Sequence, residues 1–140
     1  KVARRLLARG YSDLEGAVRA LTSELAEQAT AKDRLRYLIE GWGFRLPMAS
    51  AILTVLYPDE FTVYDQRVCS ILGAFGSLAD LGPFDRLWSG YQEFVRAVEQ
   101  VAPDGLTLRD KDRYLWAKSF HDQLQKDIGR CFGIVTPEGT

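Results

Sequence analysis

The sequence has 140 residues, of which 46% are hydrophobic and 26% are charged, and its formal net charge is −1. These values are typical of a single globular domain, and no apolar run approaches the roughly 18–20 residues that cross a bilayer. A general basic field for nucleic-acid binding is excluded, so any such binding must rest on local geometry and a few arginines. We expect a cytoplasmic monomer that does not bind a membrane.

The cysteines and the histidine do not indicate a metal site. Cys69 and Cys131 both lie among apolar residues, which predicts two buried free thiols, and His121 is the one histidine of the sequence. Two distant cysteines and one histidine cannot complete the four-ligand set of a structural zinc site. We therefore expect no metal ion and no other cofactor.

Three Ser/Thr-x-x-Asp/Glu segments predict helix N-termini, because the hydroxyl accepts from a free backbone amide and the acid complements the helix dipole. They are residues 12–15, 30–33 and 107–110, which begin with Ser12, Thr30 and Thr107. After the first segment, Leu14, Val18, Leu21 and Leu25 recur at helical spacing. The second helix is expected to end at Gly41.

The helix that follows is expected to begin at Pro47 and to end before Pro58. It is apolar nearly all round, which predicts a buried central helix. Asp65 begins a short helix, and Pro83 begins a longer one with a stripe of aromatic residues. This stripe, expected in the core, consists of Trp88, Tyr91 and Phe94. Strand alternation is absent from the sequence, so the predicted fold is all-α, with about six helices.

The turn between the second and third predicted helices is unusually rich in special residues. Gly41, Trp42, Gly43 and Arg45 lie within five positions. A Gly-x-Gly turn lets the backbone approach a phosphate, and the amides of the next helix can bind it. An ordinary hairpin between two helices is the alternative, with Trp42 folded back as a hydrophobic plug.

The order of hairpin, apolar helix and aspartate resembles the helix-hairpin-helix DNA glycosylase superfamily. The resemblance rests on IEGWG at 39–43, the alanine-bearing helix with Ala49, and FTVYDQRV at 61–68. It extends loosely to LTLRDKDRYLWAKS at 106–119, which is similar to small bacterial glycosylase-like proteins of unassigned activity. The resemblance implies one domain over 1–140, a hairpin at about 35–57 and a catalytic helix start at about 61–74. Because the sequence begins at Lys1 without a methionine, we expect an N-terminally truncated member.

The resemblance implies a function and a set of site residues. It implies an enzyme that flips a damaged or modified base out of double-stranded DNA and hydrolyses its N-glycosidic bond. A conventional repair lesion and a hypermodified phage base both remain open as targets. Asp65 would be the catalytic carboxylate. The DNA backbone would be bound by Gly41, Trp42, Gly43, Arg45 and Arg67, and the base pocket would include Tyr64, Tyr114, Trp116, Lys118 and Phe120.

One position departs from the pattern of the lysine-dependent members. They carry a lysine two residues before the alanine, and that position is Pro47 in this sequence. Proline has no side-chain amine, which predicts a monofunctional glycosylase without the lyase reaction, unless Lys118 replaces the lysine.

Ordinary structural roles remain as alternatives for the same residues. Asp65 could be only a helix N-cap, Arg67 could pair with a surface acid, and Trp116 could pack in the core. The mixed charges of the segment 109–118 are typical of a solvated helix face. The whole chain could be a DNA-binding module without chemistry, or an all-α interaction domain.

Overall fold

A computed structural model describes residues 2–133, apart from the side chain of Val2, and all regular structure among them is helical. The all-α class is confirmed for this part of the chain. Its seven α-helices are α1 (Val2–Leu7), α2 (Leu14–Ala26), α3 (Ala31–Arg36), α4 (Leu46–Leu56), α5 (Gln66–Leu72), α6 (Phe84–Val101) and α7 (Leu108–Phe132). A π-helical segment at Tyr37–Gly41 prolongs α3, and a short 3-10 turn covers Leu78–Asp80. Within these residues, none of the helices has the length and apolar character to cross a membrane.

The chain folds into two compact units, one ending at Phe44 and the other beginning at Arg45. In the first unit, α1 packs against α2. Its core contains fully buried leucines on α2, α3 and the π-helical segment. These are Leu25, Leu35 and Leu38.

Side-chain caps explain where three of the helices begin. Thr30 and Thr107 accept from the amide three residues later, at 3.1 and 3.2 Å, as the sequence predicts. For α2 the prediction is wrong by one residue, because Asp13 and not Ser12 is the cap. Asp13 Oδ1 accepts from the Gly16 amide at 2.6 Å, and a carboxylate accepts more strongly there than a hydroxyl.

Only part of the predicted apolar face of α2 is buried. Leu21 and Leu25 are buried, whereas Leu14 and Val18 in its first two turns are exposed. The periodicity therefore identified the helix correctly but overestimated how much of it is covered.

The core of the second unit is built around α6. Leu87, Tyr91, Phe94 and Val98 recur every three or four residues and are all buried, while Trp88 at the edge of this stripe is half-buried. The aromatic stripe predicted for the core is thus confirmed at its centre. Such a stripe is the usual way an amphipathic helix stabilises a small domain.

Helix α4 is not the fully buried helix that its composition predicts. Its buried face consists of Leu46, Ala49, Ser50, Leu53 and Thr54. On the opposite face Met48 is exposed and Val55 is 66% exposed, and Leu56 at the end of the helix is exposed too. Apolar composition on all sides therefore did not translate into burial on all sides.

The two thiols differ in environment. Cys69 on α5 is buried and Cys131 in the last turn of α7 is exposed; both are free. Burial raises the pKa of the Cys69 thiol, as expected for an inert interior cysteine. The prediction for Cys131 is wrong, because the end of α7 is uncovered and its neighbour Phe132 is exposed too.

Candidate functional site

Asp65 begins α5 and keeps its side chain partly open. It follows an extended segment and accepts the Arg67 amide with Oδ1 at 2.7 Å, which makes it the N-cap of the helix. Its side chain is half-buried. The capping role that the sequence offered as an alternative is therefore real. It occupies one carboxylate oxygen and does not exclude a second role for the charge.

The extended segment before Asp65 is held by buried hydrogen bonds. The Tyr91 hydroxyl donates to the Thr62 carbonyl at 2.6 Å and accepts from the Thr62 amide at 3.1 Å. The Tyr64 amide donates to Ser50 Oγ at 2.9 Å. These bonds satisfy backbone groups that a strand ladder would otherwise pair, and they fix the position from which Asp65 projects.

Asp112 on α7 is a second acid whose electrostatic surroundings include Asp65, and no motif in the sequence indicates it. Its side chain is 9% exposed. The pKa of Asp112 is raised to about 6, chiefly by burial and also by the charge of Asp65, against the lowering effects of Thr62, Arg109 and Arg113. A carboxyl in such surroundings exchanges its proton near neutral pH, which is the property required of a group in acid–base chemistry.

A groove runs between α5 and α7, directly after Asp65. It has a volume of about 750 Å³. It is lined by Gln66, Arg67, Ser70, Ile71, Lys118, Ser119, Asp122, Gln123 and Lys126, three of them cationic and one anionic. Lys118 and Asp122 approach to 3.5 Å, a surface pair of small energy. The groove is therefore locally positive although the whole chain carries −1.

Aromatic side chains stand beside the groove on α7. Trp116 and Phe120 are parallel within 2°, with ring centroids 5.8 Å apart, and both are nearly half exposed. The Arg67 guanidinium lies over the two rings, at 6.0 and 5.7 Å from their centroids. Trp116 is thus not in the core. A cation over exposed rings offers stacking and charge together, which suits nucleobases and phosphates.

Only some of the predicted base-pocket residues come together, since Trp116 and Phe120 stack on each other beside the groove that Lys118 lines, while Tyr64 and Tyr114 do not join them. Tyr64 is in the core, where its ring packs edge-on against Phe94 and its hydroxyl donates to the Phe75 carbonyl at 2.6 Å. It therefore has no open face for a base. Lys118 lines the groove, whereas Tyr114 is exposed on α7 without lining it.

The glycine turn is closed by its own contacts. Trp42 is buried between Tyr11 and Phe44, with ring centroids 6.1 and 6.3 Å away, and the Arg9 guanidinium lies 4.4 Å over it. This is the geometry of a hydrophobic plug. The left-handed backbone is at Gly43, with φ of +69°, whereas Gly41 ends the π-helical segment. The helical run thus ends at Gly41, as predicted, and Gly43 supplies the left-handed residue of the turn.

The start of α4 offers fewer free amides than a phosphate site would need. Pro47 has no N–H, and the amides of Met48 and Ala49 both donate to the Arg45 carbonyl at 3.0 Å. The Arg45 side chain forms an exposed ion pair with Asp80 at 2.5 Å. Pro47 thus supplies no donor for a phosphate, and the amides of Met48 and Ala49 and the Arg45 side chain already have partners.

Comparison with known proteins adds nothing to this geometry, since no family model, curated protein or solved structure matches the chain. In the part of the chain that the structure describes, His, Cys, Asp and Glu side chains do not gather in groups of three that could hold a metal ion.

Proposed function

We propose that the chain is a DNA glycosylase that hydrolyses the N-glycosidic bond of a damaged or modified base, with Asp65 as its catalytic carboxylate. The observation that carries this proposal is the position of Asp65 immediately before a basic and aromatic groove. Asp65 is not itself a lining residue, so the reacting sugar would sit at the end of the groove next to α5.

The chemistry requires a single well-placed carboxylate. As the bond between C1′ and the base nitrogen breaks, its electron pair leaves with the base and positive charge develops on the sugar. The Asp65 charge would stabilise that cation. A water molecule then forms the new bond to C1′ and gives a proton to the carboxylate, while the departing base takes a proton from solvent.

The groove supports recognition of a strand with an unpaired base. Arg67, Lys118 and Lys126 would contact phosphates, because each is a flexible cation on the groove wall. The Trp116–Phe120 pair would stack against a base that has left the duplex. Because Pro47 occupies the lysine position, we propose hydrolysis by water alone and an intact abasic strand as the product.

The test is an excision assay on duplexes that carry a panel of modified bases, followed by alkaline cleavage of abasic sites. We expect product with the wild-type chain and a loss of at least about a hundredfold with Asp65→Asn. Asp59→Asn is the matched control, since Asp59 is an exposed acid six residues earlier and loses the same charge. Equal loss in both variants would refute the role of Asp65.

A non-catalytic DNA-binding module is the second candidate. It is favoured by the engagement of Asp65 Oδ1 as a helix cap and by the cations of the groove, which can bind a strand without any chemistry. It predicts duplex binding with no product on any base, unchanged in Asp65→Asn and weakened in Arg67→Ala. Arg96→Ala, which removes an exposed cation from α6, should leave such binding unchanged.

A further inference from the structure

Two rows of side chains follow the same stretch of α7. Trp116 and Phe120, one helical turn apart, form an aromatic row, with ring centroids 5.8 Å apart and planes within 2° of parallel. Lys118 and Lys126 form a cationic row that lines the groove. The two lysines are separated by about 12 Å along the helix axis, or about two turns. This part of α7 therefore presents flat apolar faces and positive charges along the same length of helix.

Arg67 joins the two rows from the start of α5. It lines the groove with the lysines, and its guanidinium lies 6.0 Å from the ring centroid of Trp116 and 5.7 Å from that of Phe120. These distances are near the outer limit of a cation–π contact, so the rings hold the guanidinium only weakly. Arg67 can therefore turn toward a phosphate when another flat ring packs on the aromatic row.

Both rows are open to solvent. Trp116 and Phe120 are nearly half exposed, and the side chains of Lys118 and Lys126 are exposed as well. Large aromatic faces that lie open beside positive charges indicate a binding surface rather than a part of the core. The ion pair of Lys118 with Asp122, at 3.5 Å, does not prevent this, because an exposed pair contributes little and a polyanion can displace it.

An unpaired nucleic-acid strand matches this arrangement better than a duplex does. A single strand presents its phosphates and the flat faces of its bases together, whereas a duplex keeps those faces inside its own stack. The affinity of a duplex would have to come from phosphate contacts, and this chain has a net charge of −1. An acidic peptide would pair with the cations but would leave the aromatic row unused.

We propose that the groove between α5 and α7 binds single-stranded DNA, with bases stacked on the aromatic row and phosphates bound by Arg67, Lys118 and Lys126. Binding of the strand does not depend on any reaction. That this strand is also the substrate rests on the proposed function. In that case a base in an unpaired stretch is excised in preference to a paired one, because it does not have to be flipped out of a duplex.

The binding step is tested with the whole chain and three labelled probes of equal length at one salt concentration. The probes are an oligothymidylate, the same strand in a duplex, and a strand of abasic units that keeps the phosphates but has no bases. We expect the oligothymidylate to bind at least about tenfold more tightly than the other two, because its bases alone are free to stack on the rings. Equal or tighter binding of the duplex would overturn the proposal. Equal binding of the abasic strand, or of polyglutamate, would overturn it as well, because charge alone would then account for the affinity.

Substitutions separate stacking from charge. Trp116→Ala and Phe120→Ala should each weaken binding of the oligothymidylate about tenfold and leave binding of the abasic strand unchanged. Arg67→Ala should weaken binding of both strands. Tyr114→Ala is the matched control, since Tyr114 is 43% exposed on the same helix, against 45% for Trp116, but lies outside the aromatic row. Equal losses in Tyr114→Ala and Trp116→Ala would refute the role of the row.

The two proposals fail in different ways. Base-dependent binding of the single strand, with no excision from any strand, would refute the glycosylase and leave single-strand binding standing. Excision that depends on Asp65, together with equal binding of duplex and single strand, would refute single-strand binding and leave the glycosylase standing. The comparison of probes uses the wild-type chain, so it decides the question even if one of the variants fails to fold.

Discussion

Replacing Asp112 by asparagine should change the stability of the chain in a pH-dependent way. Burial raises the pKa of Asp112 from 3.8 to about 6 in the folded chain. Between those values the folded protein holds a proton that the unfolded chain has released. The stability contributed by neutral Asp112 is therefore fully present below about pH 4 and is lost as the pH rises to about 6.

The magnitude follows from the size of that shift. A difference of about two pKa units corresponds to at most about 3 kcal/mol, because one unit is 1.36 kcal/mol. Between pH 4.5 and 7.5 the pH passes through only the upper part of this range, from 4.5 to about 6. The wild type should therefore lose about 2 kcal/mol of stability over that interval. Asparagine has nearly the same shape as aspartate but does not ionise. The free energy of unfolding of wild type minus that of Asp112→Asn should thus fall by about 2 kcal/mol over this range.

Urea unfolding of both proteins at pH 4.5 and pH 7.5 measures this difference. With a typical urea slope for a small domain, the midpoint of the wild type should move by about 1 M relative to the variant. Asp104→Asn, which removes an exposed acid, should move in parallel with the wild type. A difference between wild type and Asp112→Asn that is the same at both pH values would show that Asp112 is charged throughout, and the reasoning would fail.

Three further predictions concern the fold and the groove. Tyr91→Phe should destabilise the chain by about 1–3 kcal/mol in urea unfolding, because it leaves the buried amide and carbonyl of Thr62 unpaired; an unchanged midpoint would contradict this. Gly43→Ala should cost about 1 kcal/mol, since φ is +69° there although a Cβ would meet no atom within 4 Å; a cost of several kcal/mol would point to hidden packing. Lys126→Ala should weaken duplex binding and reduce the slope of the log binding constant against log salt concentration by about the value of one phosphate contact. An unchanged slope would show that the groove is not part of the DNA interface.

Much of the fold could be predicted because its signals are local. Thr30 and Thr107 act as caps within a single turn, and the stripe around Tyr91 repeats at the helical period. The capping role of Asp65 could be predicted for the same reason, because an aspartate directly before a short helix is a typical N-cap. The shift of the cap from Ser12 to Asp13 is an error of one residue between two competent acceptors.

The surroundings of the candidate site depend on which side chains are buried in the tertiary structure. The mixed charges along α7 do not indicate this burial. Asp112 lies in a run of alternating charges that is typical of a solvated helix face, yet it is buried while Trp116 is exposed. One signal was available: Asp112 precedes the fully buried Leu115 by three residues, which puts both on one face of α7. Composition alone cannot say which face a long helix turns inward when charged and aromatic residues occur on both.

Asp65 presents the sharpest test because its two roles can be separated by the choice of substitution. Asparagine is as good an N-cap as aspartate, so Asp65→Asn should keep the hydrogen bond from the Arg67 amide and remove only the charge. Asp65→Ala should lose both, at a cost of about 1 kcal/mol in stability. If excision disappears in Asp65→Asn while its unfolding midpoint stays close to that of the wild type, the charge is what the reaction needs. If activity survives in Asp65→Asn and is lost only in Asp65→Ala, Asp65 matters as a cap, and the catalytic carboxylate must be sought elsewhere.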